Sequence, residues 1–435
     1  MSKIKENILN LDKNYLWHPF TPIKDSAPIL ISNAKNEILK DIDGNEYIDL
    51  ISSWWVNIHG HCNEHINNRI NLQINKLEQV LFAGFTHSPA VNLAKELTSL
   101  LPDNMNRVFY SDNGSTSVEI ALKTAIQFWH NKGEKKKRFV AFRGGYHGDT
   151  FGAMSVGYTS GYYEPFKDFL VETDFISFPE FWKGNNEVEK NESYALSQIS
   201  DILEKKTDEI AAVIIEPLIQ GAGGMRICRK EFLEKVVLKF QSAGVIVIFD
   251  EVMTGFGRTG KMFACDHTIN AKPDIICLAK SITGGYLPLA ATIFSDFIYK
   301  EFITSDVKKS LLHGHTYTAN PIACEAALGS IELFKINNSL TRISELEKIH
   351  KKCLNEVESN LDVSKVRILG SIAAFDVNKI DKSYGSVESN KLKTKFLENG
   401  LLLRPIGNTI YLMPPYCISK EKLIQSYEKI IEILK

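Results

Sequence analysis

Through the middle of the chain, short apolar runs alternate with longer stretches whose apolar residues recur at helical spacing. The runs cover 107–110, 138–142, 211–215, 244–249 and 274–278. Short runs rich in Val and Ile and bounded by turn residues read as strands buried on both faces. Their alternation with helices makes an α/β sheet covered on two sides, in which ligands sit at the strand C-termini. After Tyr110, apolar positions Val118, Ala121, Leu122, Ala125, Ile126 and Trp129 share a helical face. Thr116 and Glu119 have the form of a capping box, so a helix is expected from Thr116.

The flanks read differently. A polar helix pattern over 339–358 precedes strand patterns at 372–377, 401–404 and 409–413, an α+β arrangement. Near the N-terminus, short strands flank an Asp43-Gly44 turn and are expected to pack on that C-terminal part. Segments 1–62 and 331–435 therefore read as a smaller domain and 63–330 as a large one. The 435 residues are 44% apolar, enough for a sizeable core. With 51 Lys+Arg against 52 Asp+Glu the net charge is -1, which removes any general attraction to nucleic acid or an anionic membrane. The chain opens without a signal-peptide pattern and has no bilayer-length apolar run, so a cytoplasmic protein is expected. Its 7 cysteines are widely spaced with no C-x-x-C pair, which favours neither a disulfide framework nor a thiolate zinc site.

Several residues stand where chemistry is expected. Asp250 ends the most apolar run, where a carboxylate is poorly solvated and calls for a fixed partner: a protonated pyridine nitrogen, a helix N-terminus or a metal ion. Lys280 follows the next run and precedes Ser281-Ile282-Thr283-Gly284-Gly285, so its amine emerges at the same sheet edge. Desolvated there, a lysine can lose its proton and attack an aldehyde, although most lysines of the chain are surface charges. Gly114-Ser115-Thr116 joins a strand to a helix, which suits a phosphate or an ordinary capped turn, and it matches neither common nucleotide-binding glycine motif. Tyr146, within Gly144-Gly145-Tyr146-His147-Gly148, either stacks on a flat ligand or decorates a surface turn. Arg404 suits a structural ion pair or a bidentate carboxylate clamp. His59-Gly60-His61, with His65, and His313-Gly314-His315 lack further ligands at a recognised spacing, so polar-contact roles are preferred to metal.

Together, Gly114-Ser115-Thr116, Tyr146-His147-Gly148-Asp149-Thr150, Glu216-Pro217, residues 249–260, Lys280 with Thr283-Gly284-Gly285, and His315-Thr316 resemble the class III (subgroup II) aminotransferases over nearly the whole chain. The resemblance implies the type I fold of pyridoxal 5'-phosphate (PLP) enzymes. That fold has a large domain with a mostly parallel seven-stranded sheet, a smaller α+β domain from both chain ends, and a homodimer with shared active sites. It makes Lys280 the lysine that bonds PLP, Asp250 the partner of its pyridinium and Tyr146 the ring-stacking residue. Gly114, Ser115, Thr116 and His315 would border the cofactor, and Thr316 would reach the phosphate bound by the neighbouring subunit.

Residues 16–21, Ser52-Ser53-Trp54-Trp55, 220–224, and Arg404-Pro405 with 411–416 look like the branch of the family that aminates 8-amino-7-oxononanoate in biotin synthesis. That likeness implies walls from Phe20, Trp54 and Trp55, substrate contacts from Tyr146, Lys280 and Gly314, and carboxylate recognition by Arg404. S-adenosylmethionine is the expected donor, with lysine the donor in some relatives. Phe20 and His61 stand where many members carry Tyr, which takes a hydroxyl from the substrate site. The rival readings are another class III activity, such as an ω-amino-acid aminotransferase, and a non-catalytic PLP-fold binding protein. Trp54-Trp55 argues against the first, and retention of Lys280 and Asp250 against the second.

Overall fold

The computed structural model describes residues 3–25, 28–157, 163–383 and 385–435. Its central sheet has seven strands in the order Met105–Ser111, Ala290–Ser295, Ile275–Leu278, Ile246–Asp250, Ile210–Ile215, Arg138–Phe142 and Thr173–Ile176. Ala290–Ser295 runs against both neighbours, and the other pairings are parallel, so the sheet is mostly parallel as expected.

Every residue of Ile210–Ile215, Ile246–Asp250 and Ile275–Leu278 is buried. The two-residue period of a strand divides them between two cores. Val247 and Phe249 join Val213 and Ile215 in one, while Ile246 and Ile248 join Ala212 and Ile214 in the other. Helix Lys230–Ser242 covers the first face with Phe232, Val236 and Phe240, and helix Gly114–Asn131 covers the second with Val118, Ala121 and Phe128. Burying a large apolar side chain is worth roughly 1.5–3 kcal/mol. Packing on both faces therefore fixes the sheet edge that carries the polar residues described below.

The helix after Met105–Ser111 begins at Gly114 rather than Thr116, and its capping box joins Asn113 to Thr116 rather than Thr116 to Glu119. Asn113 Oδ1 accepts from Thr116 N at 3.0 Å, and Thr116 Oγ1 accepts from Asn113 N at 3.1 Å. Asparagine caps at least as well as threonine, so the earlier position takes the helix start. Glu119 accepts instead from Ala153 N at 3.0 Å.

The two chain ends meet in a four-stranded sheet of order Ile31–Lys35, Ile38–Asp41, Glu46–Asp49 and Leu401–Leu402. Asp43-Gly44 makes the expected turn: Gly44 takes φ +89° and Asp41 Oδ1 accepts from Asp43 N and Asn45 N at 3.0 and 2.8 Å. Leu401 and Leu402 lie parallel to Ile48 and Asp49, and the strand stops there, so Arg404 stands beyond it rather than at its end. An antiparallel sheet of Val363–Leu369, Ile372–Val377 and Thr409–Leu412, with helices Ser339–Asn360 and Lys420–Leu434, completes the C-terminal part. Helix Pro321–Ile336 runs unbroken through residue 330. Among the described residues, no helix is long and apolar enough to cross a membrane.

Candidate active site

Ile246–Asp250 and Ile275–Leu278 are parallel neighbours with Asp250 opposite Cys277, so Asp250 and Lys280 leave the sheet at the same edge. Both line a cavity of about 180 Å³, as do Trp55, Gly114, Ser115 and Tyr146. Six residues singled out from the sequence thus meet in one place. Asp250 is buried, with Oδ1 accepting from Val252 N at 3.0 Å and Oδ2 accepting from His147 Nδ1 at 2.7 Å. The acceptor-only carboxylate fixes the proton on Nδ1 of a histidine that is itself buried. Lys280 is half-buried and takes φ +46°, at the start of a 3-10 turn, Lys280–Thr283, that ends on Gly284 at φ +64°. This left-handed backbone is costly for a residue with a side chain. It sets Nζ 4.8 Å from the centre of the Trp55 ring. Enclosure lowers the pKa of the Lys280 amine; Asp250 and Glu216 oppose that shift and Arg258 adds to it. The amine is thereby brought nearer its neutral, nucleophilic form.

The N-terminus of helix Gly114–Asn131 faces the same cavity, presenting free N–H groups and the positive end of the dipole. A Cβ at Gly114 would lie 2.7 Å from Val252 Cγ1, and one at Gly148, where φ is +128°, 2.1 Å from Ser115 Oγ. These glycines let two loops close on the helix start. Ser115 Oγ accepts from Asp149 N at 3.2 Å. Thr116 differs, because its hydroxyl is committed to the cap and it does not line the cavity. Tyr146 is held at both ends: its N donates to Glu216 Oε1 at 2.9 Å and its hydroxyl to Asp149 Oδ2 at 3.0 Å. Burial, reinforced by Asp149, raises the pKa of that phenol, so it stays neutral.

Phe20, Trp54 and Arg404 gather elsewhere. A second cavity of about 900 Å³ is lined by Phe20 and Arg404. The Trp54 ring lies 6.1 Å from that of Phe20 and 4.4 Å from the Arg404 guanidinium. Ser53 at φ 61° and Trp55 at φ 70° turn the adjacent tryptophans apart, and Trp55 Nε1 donates to Tyr411 Oη at 3.0 Å beside the first cavity. Gly314, His315 and Thr316 line neither cavity. His315 pairs with Asp112 and lies 2.8 Å from the His313 ring nitrogen; Thr316 is exposed, its carbonyl accepting from Gln79 Nε2 at 2.9 Å. His61 is bound between Asp49 Oδ2 and Asn57 Nδ2, each at 2.9 Å.

Among the lining residues without a role from the sequence, His147 and Glu216 are the ionisable ones. Glu216 directly follows an apolar strand, one residue past the place Asp250 takes on its own, and that position is the available signal. For His147 the decisive contact spans residues 147 to 250 and leaves no local trace. Burial pushes the Glu216 pKa up to about 7, with His147 lowering it and Asp250 raising it further. A buried carboxylate, an enclosed amine and a helix N-terminus around one cavity suit a flat cationic heterocycle that bears an anionic group and an aldehyde carbon.

A family model described as aminotransferase class III matches residues 21–434. An adenosylmethionine-8-amino-7-oxononanoate aminotransferase from Synechococcus elongatus is 45% identical, over 97% of this chain and 98% of its own. The protein of the same name from Staphylococcus aureus is 40% identical over 95% and 94%. A crystal structure of the Methanocaldococcus jannaschii protein of that name matches with a TM-score of 0.92 at 37% identity, with 99% of each chain covered. An amine transaminase from an uncultivated Pseudomonas species, solved in its PLP-bound form, matches with a TM-score of 0.90 at 29% identity over 97% and 99%. The family match spans every wall of the pocket around Lys280 and Asp250, and the chain belongs to the class III aminotransferases.

Proposed function

We propose that the protein is a PLP-dependent aminotransferase that converts 8-amino-7-oxononanoate to 7,8-diaminononanoate, with S-adenosylmethionine as amino donor. The observation that carries this reading is the meeting of Lys280 and Asp250 in one pocket, in a chain 45% identical to a relative named for that activity. When bound, PLP supplies an electron sink that makes a proton on the amine-bearing carbon labile. Lys280 would bond the cofactor, and its freed Nζ would carry the proton away from the donor carbon and back. Asp250 keeps a proton on the ring nitrogen, and His147 keeps Asp250 in place. Tyr146, which lines the cavity, would stack on the ring. Gly114 and Ser115 would border the phosphate at the helix start, while Thr116 and His315, which the family resemblance also assigns to the cofactor, stand outside this cavity in the single chain.

Trp55 at the cofactor pocket, and Trp54 with Phe20 beside the second cavity, would supply apolar walls for an aliphatic acceptor whose carboxylate Arg404 would hold; Gly314, assigned to the substrate by the family resemblance, lines neither cavity in the single chain. The test is a donor panel, S-adenosylmethionine and lysine among them, with 8-amino-7-oxononanoate as acceptor. Diamine formed from neither donor would defeat the assignment. Arg404→Ala is expected to weaken the acceptor by about 2 kcal/mol, raising its KM more than tenfold and leaving the donor KM unchanged. An unchanged acceptor KM would make Arg404 structural.

The same proposal assigns segments 1–62 and 331–435 to a smaller domain and 63–330 to the cofactor-binding one, in a cytoplasmic homodimer. Supporting it, Leu401 and Leu402 pair with Ile48 and Asp49, and the whole central sheet lies within 63–330. Thr316, exposed in its own chain, would reach the phosphate bound by the second subunit. Mixed dimers of Lys280→Ala and Thr316→Asp place both lesions in one site and leave the other intact. Random re-pairing should therefore restore about a quarter of the unaltered activity, because half the dimers are mixed and each keeps one good site. No recovery in dimers shown by mass spectrometry to be mixed would exclude shared sites.

A further inference from the structure

We infer that Glu216 is a positioning residue whose single carboxylate ties the loop carrying Tyr146, which lines the cofactor pocket, to the turn at Gly221, which packs behind the Trp55–Met253 side of that pocket. Its Oε1 accepts from Tyr146 N at 2.9 Å and its Oε2 accepts from Gly221 N at 2.9 Å. The first bond fixes the loop that presents the Tyr146 ring. The second fixes the turn between strands Ile219–Gln220 and Arg226–Ile227. A Cβ at Gly221 would lie 3.1 Å from Met253 Cε and 3.2 Å from Trp55 Cζ3, so this turn abuts two further residues of the pocket. Gln220 Nε2 adds a tie to Arg143 O at 3.2 Å. On the far side, Arg226 Nε donates to Gly223 O at 2.7 Å, and its guanidinium fills the place a Gly144 side chain would need. Glu216 is thus the pocket-side member of a brace that sets the spacing between Tyr146 and the Trp55–Met253 wall.

The choice of a carboxylate has a physical reason. Two backbone N–H groups converge on one buried side chain, and only an acceptor-only group satisfies both. A glutamine there turns an N–H₂ toward one of them and leaves it unpaired. The titratable and charged groups facing Glu216 are His147, Asp250, Lys280 and Tyr146. Burial among them sets its protonation near neutral pH, where a protonated carboxyl holds one loop less firmly than its anion does.

The inference rests on reading this cavity as the cofactor site, but its test does not need the reaction. Amide hydrogen exchange, followed by mass spectrometry, is measured on the protein with and without PLP. In Glu216→Gln, peptides covering Tyr146 and Gly221 should both exchange about tenfold faster, while the peptide from helix Lys230–Ser242 keeps its protection. In the unaltered protein, protection of the same two peptides, corrected for intrinsic rates, should fall together between about pH 8 and pH 6, and the variant should show no such step. The variant should also bind PLP less tightly while still attaching it at Lys280. Unchanged exchange in either loop, with the helix intact, overturns the inference. If the variant does not fold, the pH series on the unaltered protein decides: a flat profile, or a change confined to one loop, overturns it.

Discussion

Lys280→Ala is expected to abolish the borohydride-reducible bond between protein and PLP and to lower turnover by about 10⁴-fold or more. Two functions end with one side chain: the covalent anchor and the proton carrier at the donor carbon. Among the described residues that line the pocket, only Lys280 carries an amine, so no neighbour can substitute. Its left-handed backbone and the Gly284 that ends its turn aim this position at the cavity, and a lysine elsewhere on the loop would not inherit that direction. Borohydride reduction followed by peptide mass spectrometry of both proteins checks the anchor. Cofactor reduced onto another lysine, or turnover near that of the unaltered protein, would refute the assignment. The fold should survive, because alanine at this half-buried position removes a desolvated amine rather than a packed apolar group.

Asp250→Asn is expected to keep the fold and cut turnover by about 10²–10³-fold, the loss typical of removing one aligned charge from an enclosed site. The amide is isosteric, so Val252 N keeps an acceptor. The contact with His147 does not survive in its present form: if Nδ2 faces the ring, His147 Nδ1 must give up its proton to accept, which changes its tautomer. An amide also carries no charge to hold a proton on the pyridine nitrogen. Steady-state kinetics, the absorption of the bound cofactor and a melting curve separate these effects. A melting temperature within a few degrees of the unaltered one, together with a large loss of turnover, is the expected pattern, and near-normal turnover would move the electron-sink partner elsewhere.

The parts of this molecule legible in the sequence are those written in local periodicity. The runs ending near Asp250 and Leu278 are uniformly apolar because both faces are covered, and the same burial makes a polar residue at their ends conspicuous. Asp250 and Lys280 were found that way. The helix starts two residues before the position the sequence suggests because Asn113 and Thr116 are both capping types and the reciprocal bonds between them close the box on Asn113. Trp54 and Trp55 read as one feature in the sequence, but the positive φ angles at Ser53 and Trp55 turn them apart, Trp55 to the Lys280 pocket and Trp54 to Phe20 and Arg404. Glu216 and His147 act through partners far away in sequence, at Gly221 and Asp250, and such contacts leave no periodic mark. His61, noted for the hydroxyl it lacks, is occupied by Asp49 and Asn57.

The pairing of Ile48 and Asp49 with Leu401 and Leu402 has a consequence for the order in which the chain can assemble on the ribosome. Glu46–Asp49 waits for a partner that is synthesised only after nearly all the rest of the protein. At ~5–20 residues per second, that leaves an unpaired strand edge for tens of seconds, through the whole emergence of the central sheet. Closing so long a loop is entropically slow and contributes to a high contact order. The nascent chain therefore spends its most aggregation-exposed interval with one edge open, and a chaperone that shields extended apolar segments would act on the N-terminal strands, well before any catalytic residue has been translated.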